Sequence, residues 1–310
     1  MSIIKAFSDG WRKVWQTRRW LVLLFVLQFV LVLFPGVALR EAIEESLGKS
    51  LAAENMLRSF DTSWYQVFLK DAGKLESTFG PQISGAGAIL ESLDRLVTGK
   101  LAGIPALLFG LAVVYLLFWI FFSGGLIHQY GFGEENSFFA LAARYFWRIL
   151  GIVLLAGAAY AIIFMVLLPF FSQIVENITR QTIDERVHFA LTVVKYLILW
   201  SLVVVVNLLA DYAKIHAVGQ NLASPFLAIG RAARFVFRHF FKTIGLYLLV
   251  AATGLFGMVF YLITAPGATH SSWGMILFGL FWGELYVLWR IFVRAEFLAA
   301  QTTLILQAEE

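Results

Sequence analysis

Glu284 is the side chain whose placement in this sequence most invites chemistry. It stands near the middle of an apolar stretch reading GLFWGELYVLWR. A lone carboxyl at such a depth is expensive, and groups of this kind mark ion paths, proton relays or buried pairs. Gly279 and Gly283 precede it with GxxxG spacing, which lets a second helix approach closely. Two residues elsewhere are partners in type. Lys195 lies one to two turns inside another apolar stretch, on a stem long enough to reach inward. Asn207 lies further along the same stretch. Two readings stand side by side: a structural pair or hydrogen-bonded glutamic acid joining two helices, and a proton or ion site.

The second set is cationic. Residues 207–242 read NLLADYAKIHAVGQNLASPFLAIGRAARFVFRHFFK. Ser224 followed by Pro225 is a helix start, with an N-cap hydroxyl and a proline at the first helical position. Arg231, Arg234, Arg238 and Lys242 follow at spacings of three, four and four, and therefore share one face. Phe226, Ala233, Phe237 and Phe240 fall mostly on the other side. A basic face backed by aromatic residues suits a membrane surface with anionic headgroups. It does not suit nucleic acid, because the opposite face is too apolar to be solvated. Asp211 ends the preceding apolar stretch, where its charge opposes the helix dipole, and Lys214 is its expected ion-pair partner.

The remaining chemistry is sparse. The sequence has no Cys, hence no disulfide framework and no thiol nucleophile. His128, His188, His216, His239 and His270 form no HExxH or other paired spacing. His128 and His216, with Glu134, Glu135 and Asp211, are the only set in which a metal reading arises, and a weak one. No phosphate-binding loop and no GxSxG motif occurs; Gly124-Gly125 and Gly131/Gly133 read as turn glycines next to a span end. No catalytic residue, cofactor site or metal site is expected.

The elements that must position these residues are membrane spans. The composition is 60% hydrophobic and 14% charged, with mean hydropathy +0.79, which places the chain in the membrane class. Residues 1–39 read as a basic, Trp-rich interfacial segment followed by a first span from about Trp20 to Leu39. Gly36-Val37-Ala38 is small-x-small, the mark of a cleaved signal peptide. The length of the apolar run favours a retained helix instead. Residues 40–100 form a helical cap, with turn-like breaks at Phe60-Asp61-Thr62 and Phe79-Gly80-Pro81. Residues 101–310 hold five more spans, near 101–122, 147–170, 189–210, 243–264 and 272–293. Two elbow helices lie between them, near 137–146 and 224–242. The fold class is thus an all-α polytopic membrane protein of six helices. Fourteen of the 24 Lys and Arg lie in segments that are cytoplasmic if the N-terminus is. That bias puts both termini in the cytoplasm and the cap outside.

Two stretches resemble each other: Ser137–Arg144, SFFALAAR, and Ser224–Arg231, SPFLAIGR. ARYFWR at 143–148 answers ARFVFR at 233–238, and Ile127-His128 answers Ile215-His216. A duplicated unit of span, polar turn, basic elbow and span fits these matches, in parallel orientation. Convergence of two basic cytoplasmic elbows on similar residues fits them too.

FFSGGLIHQYG, DYAKIHAV and ARFVFRHF, with LREAIEESLGKSL, FDTSWYQVF and TFGPQISGAGAIL in the cap, carry a resemblance. The chain resembles a broad group of bacterial six-span inner-membrane proteins. More distantly, it is similar to the membrane domain attached to some glycerophosphodiester phosphodiesterases. The phosphodiesterase barrel has no counterpart here, so the resemblance implies a bacterial inner-membrane location and no catalytic residues. The expected function is non-enzymatic organisation of lipid, with anionic headgroups as partners, or of a membrane protein complex. The alternative is a small-solute or ion transporter or channel using Glu284.

Overall fold

The computed structural model describes residues 2–48, 52–56, 61–80, 85–98, 104–133, 137–180, 184–266 and 273–309. Among them every regular element is helical. Six helices are long and apolar enough to cross a membrane, and at most about a fifth of each one's most apolar window is buried in protein. Side chains this apolar that face outward need lipid as their solvent. The protein is therefore an all-α polytopic membrane protein. Its helices divide into two compact units.

Unit 1 comprises residues 1–18, 119–251 and 294–310. It begins with α1, Ile3–Gln16, capped by Ser2, whose hydroxyl accepts the Lys5 N–H at 3.4 Å. Ala6, Gly10 and Val14 recur every four residues and are fully buried along one side of α1. Thr17 ends the helix, its hydroxyl bonded to the carbonyls of Lys13 and Val14.

Unit 2 comprises residues 19–118 and 252–293. It takes in nearly all of α2, Arg18–Leu47, which is longer than the predicted first span and runs eight residues beyond Leu39. LREAIEESL carries on the helix, and an Arg40–Glu44 pair at 2.7 Å supports it one turn apart. The cap thus starts inside a helix. It continues through α3 (Ala52–Met56), α4 (Thr62–Asp71), a single 3₁₀ turn (Glu76–Thr78) and α5 (Gly85–Thr98). Asp61 starts α4 by accepting the N–H groups of Ser63 and Trp64, both at 3.0 Å. Trp64, Phe68 and Ala52 then close a small core with Ile43, Leu47 and Phe79. Of the two predicted breaks, Phe60 and Pro81 lie outside the described residues.

The next helices are α6 (Ala106–Gly131) and α7 (Phe138–Ile162), the latter followed by a π-helical turn, Ile163–Leu167, and α8, Leu168–Thr179. Pro169 accounts for the π turn. Its ring has no N–H and clashes with a carbonyl one turn back, and the wider turn absorbs both effects. The predicted elbow at 137–146 is not a separate helix. No Gly or Pro separates Ser137 from the span, and α7 runs straight through. Gly124 and Gly125, read from sequence as turn residues, lie inside α6 and are buried. A Cβ at Gly125 would sit 2.6 Å from the Phe138 ring, so their smallness lets α7 approach.

The last four helices are α9 (Glu185–Gly219), α10 (Pro225–Arg238), α11 (Phe240–Thr264) and α12 (Trp273–Glu309). The second predicted elbow is a separate helix but a shorter one: it ends at Arg238, His239 sets α10 off from α11, and Phe240 and Lys242 belong to α11. The predicted sixth span ends near 293, but α12 continues without a break for four more turns. Ala295, Leu298, Ala299, Ala300, Thr302 and Leu304 in that extension are almost fully enclosed in unit 1.

Candidate functional site

The basic elbow is held by small residues. Ala228, Ala232 and Val236 of α10 face inward, and α10 lies against α9 and α7. The Ser224 hydroxyl accepts the Leu227 N–H at 3.5 Å, and Pro225 opens the helix as predicted. A Cβ at Gly151 of α7 would meet the Pro225 ring at 2.6 Å, so that glycine admits the start of α10. Phe235 closes the inner side against Tyr212, His216 and His239, with ring centroids 5.3, 5.9 and 5.0 Å away. Arg231, Arg234 and Arg238 remain exposed. Phe226, Phe237 and Phe241 are 73, 71 and 86% exposed. The elbow therefore presents charge and aromatic surface together, as the periodicity predicts. Partial burial, with Arg238 and Lys242 nearby, holds the His239 imidazole below its usual range.

Asp211 and Lys214 pair as expected, Nζ to Oδ1 at 2.8 Å, with both side chains largely enclosed. Around them the interior of unit 1 is polar. Tyr160 donates to Asn207 Oδ1 at 2.6 Å, and Tyr247 also bonds to Asn207. The Arg294 guanidinium lies 4.4 Å over the Trp119 ring.

The predicted trio of Glu284, Lys195 and Asn207 is divided between the two units. Lys195 and Asn207 lie twelve residues apart on α9, about 18 Å along its axis. Each has a partner of its own inside unit 1. Lys195 donates to Ser172 Oγ at 3.3 Å and lies 4.4 Å over the Tyr196 ring, while Asn207 serves Tyr160. Glu284 is in unit 2 and is half-buried. Within that unit it has no hydrogen bond or ion pair among the described residues. The glycines before it do what their spacing predicts. Cβ atoms at Gly279 and Gly283 would sit 3.2 and 3.6 Å from Pro266 and the Tyr261 hydroxyl, which is how closely that stretch of chain approaches. Tyr261 and Tyr286 stack 4.6 Å apart beside them.

Sequence reasoning missed Glu296. It is 0% exposed, and neither carboxyl oxygen has a hydrogen-bond partner among the described residues. It lies beneath α1, where a Cβ at Gly10 would be 2.8 Å from its Oε1. Lys13 of α1 donates to Thr303 Oγ1 at 2.9 Å. Burial lowers the Lys13 ammonium from its usual range, with Asp9 acting the other way. Thr17 and Tyr130 share a buried hydrogen bond of 3.2 Å in the same unit. Small residues were the available signal: Ala6 and Gly10 on α1, and Ala300 on α12, whose backbone a Cβ at Gly10 would meet.

His128 stacks on Tyr145 at 6.2 Å, and His216 meets Phe235 edge to face. Glu134, Glu135 and His270 lie outside the described residues. Among the described residues no group of three His, Asp or Glu is arranged to hold a metal. The site thus belongs to a multi-pass membrane protein with a cationic aromatic elbow and a buried polar interior. No family model, no curated relative and no solved structure matches the chain.

Proposed function

We propose that this protein is a non-enzymatic organiser of anionic lipid in a bacterial inner membrane, with both termini cytoplasmic. The observation that carries the reading is α10, whose inner face is small and buried while Arg231, Arg234, Arg238, Phe226 and Phe237 stand outward together. A helix of that pattern lies in the interface, with its aromatic rings in the acyl boundary and its charges among headgroups. The termini support the shared-side topology. Ser2 N–H donates to Gln307 Oε1 at 3.1 Å, so both ends of the chain occupy one side of unit 1. The same surface would suit a membrane partner complex with an acidic face.

The test is lipid retention. Arg231, Arg234 and Arg238 are changed together to Gln, and the lipid that co-purifies from native membranes is quantified. Loss of anionic lipid from the variant supports the reading. Unchanged lipid, with a stoichiometric protein partner lost instead, turns it toward complex assembly. A second reading, ion or small-solute transport, is favoured by Glu284, a carboxyl within a span and without a partner among the described residues of its own unit. Proteoliposome flux that depends on pH and disappears in Glu284→Gln would establish it.

A further inference from the structure

We infer that Arg144, Arg148 and Arg231 form a phosphate-binding site at the turn between α9 and α10, and that its ligand is the headgroup phosphate of an anionic lipid. This rests on the lipid reading above and names the chemistry within it.

The site begins with a helix end. After Gly219, α9 closes with Gln220 N–H on the His216 carbonyl, Asn221 N–H on Val218 and Leu222 N–H on Ala217. Asn221 takes the left-handed conformation that this closure requires, with φ +51°. Asparagine tolerates that conformation better than most residues other than glycine. The turn therefore fixes where the Asn221 side chain projects.

Two guanidinium groups of α7 converge on it. Arg148 Nη1 donates to Asn221 Oδ1 at 2.5 Å, and Arg144 Nη2 reaches the same atom at 3.5 Å. Both guanidinium carbons lie 5.6 Å from the Tyr145 ring centre, so one ring braces the pair. From α10, Arg231 donates to Gln220 Oε1, one residue earlier in the turn.

Three permanent cations thus gather on two neutral amide oxygens. None of the three has a carboxylate partner among the described residues. A neutral amide is a weak acceptor for a guanidinium. A phosphate oxyanion makes charge-assisted, forked bonds of roughly twice the strength. The acidic group of this end of α9, Asp211, is already committed to Lys214.

Two further observations fix the ligand. Arg144 and Arg231 occupy equivalent positions in the two similar stretches SFFALAAR and SPFLAIGR. The corresponding arginine of each stretch therefore turns to the same two-residue turn. The surroundings are apolar and outward-facing. Trp147, between the two arginines of α7, is 74% exposed, and Phe226, close by in sequence on α10, is 73% exposed. A site for phosphate in free solution has no use for such a rim. A headgroup whose acyl chains continue into the membrane does.

The experiment uses the full chain in phosphatidylcholine nanodiscs doped with phosphatidic acid or phosphatidylglycerol. Bound anionic lipid is counted by native mass spectrometry. Arg144→Lys/Arg148→Lys keeps the charge and removes the forked geometry, and Arg231→Lys does the same on α10. Arg234→Gln/Arg238→Gln removes charge from the stripe without touching the turn. Each Lys variant is expected to lose about tenfold or more in anionic-lipid affinity with its charge kept, and the stripe variant up to about thirtyfold through the loss of two charges. Thermal melts confirm that each variant is folded. Wild-type affinity in the Lys variants, with loss confined to the stripe variant, overturns the site and leaves the lipid reading standing. No loss in any variant overturns both. Stabilisation by millimolar inorganic phosphate in lipid-free micelles, with no lipid preference, overturns the lipid as ligand and assigns the site to soluble phosphate.

Discussion

Gly10→Ala tests how closely α1 docks on the end of α12. A methyl there would meet the Ala300 nitrogen at 2.8 Å and its Cα at 2.9 Å, both backbone atoms that cannot swing aside. Ordinary contact begins near 3.4 Å, so α1 would have to lift by about half an ångström. Overpacking of this kind costs about 1–3 kcal/mol. Against it stands the gain from replacing glycine inside a helix, roughly 0.5–1 kcal/mol. Gly230→Ala separates the two effects. Gly230 lies within α10, is exposed, and a Cβ there meets nothing within 4 Å. Gly230→Ala should therefore stabilise by the propensity gain alone, about 0.5–1 kcal/mol. The difference between the two variants should be close to the overpacking cost, about 1–3 kcal/mol. Reversible unfolding in mixed micelles measures that difference, and amide exchange over residues 3–16 should quicken only in Gly10→Ala. If Gly10→Ala stabilises as much as Gly230→Ala and leaves exchange unchanged, α1 does not rest on Ala300 and the docking argument fails.

Glu296→Met should raise stability by about 1–3 kcal/mol, since it replaces a buried carboxyl that has no hydrogen-bond partner among the described residues with an apolar chain of similar volume. A large loss in the same unfolding assay would show that the carboxyl is held by a group it does not bond here. Asn207→Leu should cost about 0.6–1.7 kcal/mol by stranding the Tyr160 hydroxyl, and adding Tyr160→Phe should return most of it. Additive losses in that cycle would mean the 2.6 Å bond contributes nothing. The cap should open in acid, because hydrogen bonds from Trp64, Asn55 and Ser63 hold Asp61 below its usual carboxylate range. That contribution is complete above the unfolded value of 3.8 and disappears as pH falls through the lower folded value. Limited proteolysis of residues 61–80 by pepsin should quicken over that window in wild type and be pH-insensitive in Asp61→Asn, and identical profiles would refute the cap.

The six spans were legible because lipid solvation writes itself into sequence as uninterrupted apolar runs. The start of α10 was legible because Ser224-Pro225 is local chemistry, and the Asp211–Lys214 pair because it is one turn long. The continuation of α12 was not. Arg294, Glu296, Gln301, Thr302 and Thr303 lower its hydropathy to that of a cytoplasmic tail, yet the segment is buried by protein rather than by lipid. Hydropathy cannot tell a solvated polar turn from one enclosed by other helices. For the same reason Gly124 and Gly125 read as a turn, when their role is to admit Phe138 and Tyr145. Lys195 was matched to Glu284 by charge, and the short-range contacts it makes inside unit 1, a hydroxyl and an aromatic ring, leave no mark in the hydropathy pattern.

The docking of α1 on residues 296–307 also sets an order of events. Ser2 and Gln307 are 305 positions apart and directly bonded. At 5–20 residues per second, roughly 15–60 s of synthesis separates the making of α1 from the making of its seat. During that interval α1 has its buried face uncovered and carries Lys5, Arg12 and Lys13 beside Trp11 and Trp15. An amphipathic helix in that state is suited to lie at a membrane surface. The bilayer surface thus acts as a temporary scaffold, from which α1 is recruited only when the last turns of α12 leave the ribosome.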